Sequence, residues 1–146
     1  MRTAILAFCL LTGCGFRAYR PDVRPFPGGQ RTLGCLDVGV LPERRGDRLF
    51  LDVRVGNTCS RPQAFSIQAL RVVDGEGHAV SLLDPRGELQ LVHVDPETEG
   101  RAVVTLDRPT PTRLCVDLRD VAPDAPAAVV TPLCFEDRGL GFVVTP

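Results

Sequence analysis

The strongest restriction on how this chain can fold is the phase of two of its cysteines. In Arg113-Leu114-Cys115-Val116-Asp117-Leu118 the apolar side chains hold the even positions, so Cys115 faces away from them with Arg113 and Asp117. In Leu133-Cys134-Phe135-Glu136 the apolar pair shares one face, and Cys134 shares the other with Glu136. Setting Cys115 opposite Cys134 in an antiparallel hairpin brings Leu114 to Phe135, Val116 to Leu133 and Arg113 to Glu136. Each pair is then apolar with apolar, sulfur with sulfur, or opposite in charge, the combinations that stabilise a ladder. An antiparallel sheet closed by a disulfide is the expected result.

Cys35 and Cys59 pair partly by elimination, since Cys9 and Cys14 belong to the first fourteen residues. An even number of body cysteines in an exported chain favours disulfides, each closing a loop of roughly 20–25 residues and worth about 3 kcal/mol. The alternatives are a metal site or a redox dithiol. No Cys-x-x-Cys motif is present, so a thioredoxin-like centre is excluded.

From Leu33 onward, short runs of Val, Leu, Ile and Phe alternate with polar residues and are punctuated by turn signals. Strands are predicted over 34–40, 48–56, 64–73, 79–83, 89–94, 101–106, 112–118 and 129–135, with a last one over 140–144. Turns are predicted at 43–47, 74–77, 84–87 and 107–111; Asp84-Pro85-Arg86-Gly87 has the order of a type I turn. In Phe65-Ser66-Ile67-Gln68-Ala69-Leu70-Arg71-Val72 the apolar phase slips between Ile67 and Leu70. That predicts a bulge near Gln68-Ala69, where the strand could leave one sheet for another. The expected fold is all-β: an immunoglobulin-like two-sheet antiparallel sandwich of about 7–9 strands.

The amino terminus, MRTAILAFCLLTGC, has one positive charge and an apolar run from Ala4 to Leu11, far short of the ~20 residues that span a bilayer. Leu11-Thr12-Gly13-Cys14 resembles the lipobox of bacterial lipoproteins. The resemblance implies that residues 1–13 are a signal peptide, that Cys14 is the lipidation site and new first residue, and that Gly15 directs the protein to the outer membrane. An ordinary secretory signal or an apolar segment are the alternatives. Residues 14–32 are expected to be a flexible tether: Pro21, Pro25, Pro27 and Gly28-Gly29 break regular structure, and four arginines against one aspartate leave residues 15–32 at +3. These arginines lie near anionic head groups or simply along a soluble linker, and Phe16 and Phe26 are placed to touch lipid. The domain proper is expected over 33–146, with twelve arginines against seventeen acids.

Charge and composition exclude several classes. A net charge of −1 gives nucleic acid no global attraction, and the absence of lysine removes Schiff-base and P-loop chemistry. Ser60, Ser66 and Ser81 lie outside any Gly-x-Ser-x-Gly elbow. His78 stands beside a solvated turn, and His93 shares a phase with Leu89 and Leu91, which marks it as a packing residue. Two histidines without clustered donors predict no zinc or copper site. Asp74, Glu76, Asp84 and Glu88 could converge on calcium, but EF-hand spacing is absent. Glu97 and Glu99 read as a hydrated turn. No catalytic residue, cofactor, metal or small-molecule substrate is expected.

Gly34-Cys35-Leu36-Asp37-Val38, Val55-Gly56-Asn57-Thr58-Cys59-Ser60-Arg61-Pro62, Ala69-Leu70-Arg71-Val72, Asp84-Pro85-Arg86-Gly87-Glu88 and Leu114-Cys115-Val116-Asp117-Leu118 together resemble uncharacterised envelope lipoproteins of myxobacterial type from high-GC Gram-negative bacteria. These motifs are structural and imply no activity. The first expectation is a non-enzymatic, lipid-anchored interaction or structural module whose partners are the membrane, through its anchor, and another envelope protein. The second is a periplasmic protease inhibitor baited by Arg86 or Arg108.

Overall fold

Two ten-residue strands form the centre of the molecule because their sequences alternate without a break. The computed structural model describes residues 17–22, 25–83, 91–107, 111–122 and 130–146. Its strands, in chain order, are β1 (Arg17–Ala18), β2 (Gly29–Leu33), β3 (Leu36–Arg45), β4 (Arg48–Asn57), β5 (Gln63–Ser66), β6 (Arg71–Asp74), β7 (Ala79–Val80), β8 (Leu82–Leu83), β9 (Leu91–Val94), β10 (Thr98–Leu106), β11 (Arg113–Asp117), β12 (Leu133–Asp137) and β13 (Phe142–Thr145). No α-helix occurs among the described residues.

β3 sends Leu36, Val38 and Val40 inward, and β4 sends Leu49, Leu51, Val53 and Val55 to the same side; all are buried. Arg45 pairs with Arg48, leaving Gly46-Asp47 as a two-residue turn, with Gly46 at φ +64°. Such a turn needs a residue that accepts positive φ. The strands thus continue through the charged 43–45 segment that composition marks as loop. Their length buries a row of branched side chains on one face.

The first sheet has the order β1-β10-β4-β3-β2, with β8 also paired to β10; the second runs β13-β12-β11-β6-β7, and β5 pairs with β9 separately. All pairings are antiparallel. The sheets pack as a sandwich: a Cβ on Gly29 of β2 would lie 2.9 Å from Leu133 and 3.1 Å from Phe135 of β12. The inner faces of both sheets join one apolar core, with Val104, Leu106, Val72, Leu114, Val116, Leu133 and Phe135 all buried. Gly100 of β10 makes the corresponding contact with Val92 and Val94 of β9. The all-β sandwich expected from the alternation is what the chain forms.

Three details differ from expectation. At the phase slip after Phe65 the chain makes a 3-10 turn, Ile67–Ala69, not a bulge; β5 before it pairs with β9, and β6 after it pairs with β11. The sheet change occurs where the period breaks, but a full turn absorbs it. The 79–83 segment likewise divides, β7 joining β6 and β8 joining β10, which raises the strand count above nine. Most important, residues 14–32 are not wholly a tether. Tyr19 is 6% and Phe26 7% exposed, and 29–33 is a strand on the edge of the first sheet. The domain therefore begins before Leu33.

Candidate functional site

The feature most closely tied to the chain's organisation is the seam where the amino-terminal segment docks on the outer face of the first sheet. That face would ordinarily be polar. On β3 and β4, however, Gly39 and Gly56 point outward and leave hollows. A Cβ on Gly56 would come within 2.3 Å of the Tyr19 ring, and one on Gly39 within 2.4 Å of Phe26. The two aromatic rings fill the hollows and stack on each other, centroids 5.1 Å apart. Phe26 is thus a packing residue of the seam rather than a lipid contact.

Polar groups complete the seam. The Tyr19 hydroxyl donates to Oδ2 of Asp37 at 2.7 Å, and Thr32 Oγ1 donates to Oδ1 at 2.7 Å. Both oxygens of this nearly buried carboxylate therefore accept a hydrogen bond. Burial first, then the Asp37 hydrogen bond and charge, push the Tyr19 phenol well above its ordinary pKa. The Tyr19 amide donates to the Glu97 carbonyl and the Glu97 amide to the Asn57 carbonyl, 2.8 and 2.9 Å. Glu97 itself has φ +59°. The hydrated turn expected at 95–100 thus gives up its second half to β10.

Beside the seam lies a charged cluster on the same face. Asp52 is 2% exposed and receives Arg101 through two bonds, Nε to Oδ1 at 2.8 Å and Nη2 to Oδ2 at 2.9 Å, with Arg54 Nη2 at 3.2 Å. Burial alone would raise the Asp52 carboxyl. The Arg101 and Arg54 hydrogen bonds and charges outweigh that and hold it below the usual carboxylate range. Glu99 approaches Arg54 at 3.7 Å. A carboxylate saturated by two guanidinium groups is built to hold strands together, not to move protons.

Both cysteine pairs are bonded: Cys35 to Cys59, and Cys115 to Cys134. The second joins strands in the register read from the alternation, Arg113 opposite Glu136, Leu114 opposite Phe135 and Val116 opposite Leu133. The strand predicted over 34–40 starts at Leu36 instead, and Cys35 occupies the Gly34-Cys35 turn between β2 and β3, with Gly34 at φ +62°. Around it, the Thr58 amide and hydroxyl both donate to the Cys35 carbonyl, 2.9 and 2.8 Å. Asn57, fully buried, donates to the Arg61 and Val94 carbonyls and accepts from the Cys59 amide. This side chain fixes the loop that carries Cys59.

The remaining candidates are dispersed. His93 is exposed with Leu91, while Val92 and Val94 face inward, so the packing role expected for it falls to its neighbours. His78 is exposed in the 74–78 turn, where Asp74 Oδ1 accepts the Glu76 and His78 amides at 3.0 and 2.8 Å. Asp74, Glu76 and His78 group their donor atoms within 4.8 Å, an arrangement the turn itself produces. Asp84, Arg86, Glu88 and Arg108 lie outside the described residues, as do residues 1–16 with Cys14 and Phe16. A cleft of about 840 Å³ opens between β6–β7 and β8–β10, walled by Leu70, Val80, Leu82, Leu83 and Val103. Its charged residue Arg71 bonds to Asp120 at 2.7 Å.

Sequence reading missed Tyr19, Asp37, Asp52, Asn57 and Arg101. Asn57 ends the inward phase of β4 as a buried polar residue, and the others lie in an outward phase or an isolated position, where alternation carries no information about the partner.

Fold and seam define a class: a doubly disulfide-bonded antiparallel β-sandwich with its amino-terminal segment folded onto one outer face. No known family model matches the chain, and no curated protein matches it significantly. Among solved structures, the crystal structure of the yjhA protein from Bacillus subtilis is similar, with a TM-score of 0.51 and 14% identity over 66% of this chain and 83% of that chain. At that identity the likeness is one of fold alone.

Proposed function

We propose that this chain is a lipid-anchored lipoprotein of the cell envelope, sorted to the outer membrane, that works without catalysis as an interaction or structural module. The observation that carries the reading is the sequence Leu11-Thr12-Gly13-Cys14 placed ahead of a body whose four cysteines are all paired. Disulfides persist in oxidising compartments and are rare in the cytosol. A thioether-linked lipid at Cys14 fits the same address, since two or more acyl chains hold a protein on a membrane durably.

The partner surface in this reading is the free edge of β13. Among the described residues β13 pairs only with β12, and it presents Val143 and Val144, 45% and 39% exposed, next to a fully exposed Leu140. Edge strands usually carry charges or proline that discourage pairing; Phe142-Val143-Val144-Thr145 has neither. A partner would add a strand there through main-chain hydrogen bonds.

Fatty-acid labelling and fractionation test the anchor. The wild-type chain takes up label and sediments with membranes, and Cys14→Ala does neither. A Cys14→Ala chain that still sediments, or a wild type without label, contradicts the reading.

A further inference from the structure

The docked seam changes what a lipid at Cys14 would do to the body. A free tether of eighteen residues would let the sandwich stand roughly 20–25 Å from its anchor in any orientation. Against that, the first described strand, β1, starts at Arg17, three residues after Cys14. Three residues span at most about 11 Å. The anchor therefore holds a particular flank of the sandwich close to the bilayer.

The register identifies that flank. Arg17 pairs with Glu99 and Ala18 with Thr98, antiparallel, so the amino-terminal end of β1 points along β10 toward Gly100 and Arg101. On this side of β10 the described partners are β1 at 98–99 and β8 at 105–106. Val103 lies between them and is 41% exposed; Leu83, opposite Thr105 in β8, is 39% exposed. Opposed and diagonal residues on one sheet face are near neighbours, so Leu83 and Val103 form one apolar spot, continuous with the cleft wall at Leu82 and Val80. Arg101, with half its side chain exposed, stands on the same face. Because its guanidinium is paired with Asp52, the flank offers the bilayer an apolar spot beside a neutralised ion pair, which suits the acyl-chain boundary.

We infer that the β10 flank, through Val103 and Leu83, is the surface this sandwich lays on the bilayer, which turns the β13 edge away from it. This rests on the lipoprotein reading for the anchor but makes a separate claim about orientation.

The test uses full-length, acylated protein purified from membranes and reconstituted into phosphatidylethanolamine–phosphatidylglycerol vesicles with brominated acyl chains. A fluorophore is placed by Val103→Cys or, as the control of matched type and exposure, by Val143→Cys. Each variant is checked for acylation by mass and for both native disulfides. Quenching several-fold stronger at position 103 than at 143 is expected. Equal quenching, or stronger quenching at 143, on acylated protein overturns the orientation while leaving the anchor intact. Absence of the lipid from the wild type overturns both. If Val103→Cys fails to fold, hydrogen exchange of the wild-type protein decides: slowed exchange of the β10 peptide on vesicles, relative to soluble Cys14→Ala, is expected, and unchanged β10 exchange overturns the inference.

Discussion

The Tyr19 hydroxyl donates to Oδ2 of Asp37 at 2.7 Å across eighteen residues of chain, and in doing so closes the amino-terminal segment onto the third strand. The ring of the same residue fills the hollow left by Gly56. One side chain therefore supplies both the packing and the polar closure of the seam.

Tyr19 is the chain's one tyrosine, so tyrosinate absorbance reports the seam alone. Free phenol ionises near pH 10. Its raised folded-state pKa means that the stability it contributes is complete below that value and is lost as pH rises through the higher folded one. Spectrophotometric titration is expected to show ionisation well above pH 10 in folded protein and near 10 in denaturant. Coincident curves would show the ring free in solvent.

Gly56→Ala puts a methyl group where the Tyr19 ring lies. Overpacking of this kind costs about 1–3 kcal/mol. The cost should largely vanish in a Tyr19→Ala background, because the three nearest atoms to that methyl all belong to the Tyr19 ring. Denaturant unfolding of the two single variants and the double variant measures the coupling. Additive effects would mean that Gly56 matters for another reason.

Asp52→Asn replaces a buried carboxylate that holds Arg101 and Arg54. A loss of about 1–3 kcal/mol is expected at neutral pH, the usual worth of charge-assisted bonds at a buried group. Because the Asp52 carboxyl titrates below its unfolded value, its contribution is present above about pH 4 and disappears as pH falls through the folded pKa. Unfolding curves of wild type and variant should therefore converge in acid. A gap independent of pH would show that charge at Asp52 is not what stabilises the site.

Replacing Cys115 and Cys134 together by serine opens a link with a sequence separation of 19, and replacing Cys35 and Cys59 opens one of 24. Each should cost about 3 kcal/mol on the loop-entropy scale. Thermal unfolding under non-reducing conditions reads both. Unchanged midpoints would remove the disulfides from the account of stability.

How much of this was legible in the sequence follows from where the information lies. Leu114, Cys115, Val116, Leu133, Cys134 and Phe135 announce their register because an inward apolar phase and an outward sulfur leave one alignment satisfying both. The slip between Ile67 and Leu70 marks the change of sheet, but a missing period cannot distinguish a bulge from the 3-10 turn that forms. The seam was illegible for a different reason. Tyr19 and Phe26 stand alone among prolines and glycines without a period, and their receptors, Gly39 and Gly56, are recognised only by the absence of side chains on strands remote in sequence. The same holds for Asp37 and Asp52, whose outward phase predicts solvent and whose partners Tyr19 and Arg101 lie far away in the chain.

Intact-mass and peptide analysis of the amino terminus of protein extracted from its native membranes tests the central claim most directly. The account predicts a chain that starts at Cys14 and carries a diacylglyceryl thioether on its sulfur, with the four body cysteines oxidised. A chain starting at Met1, or an unmodified Cys14 with reduced Cys35, Cys59, Cys115 and Cys134, would contradict it.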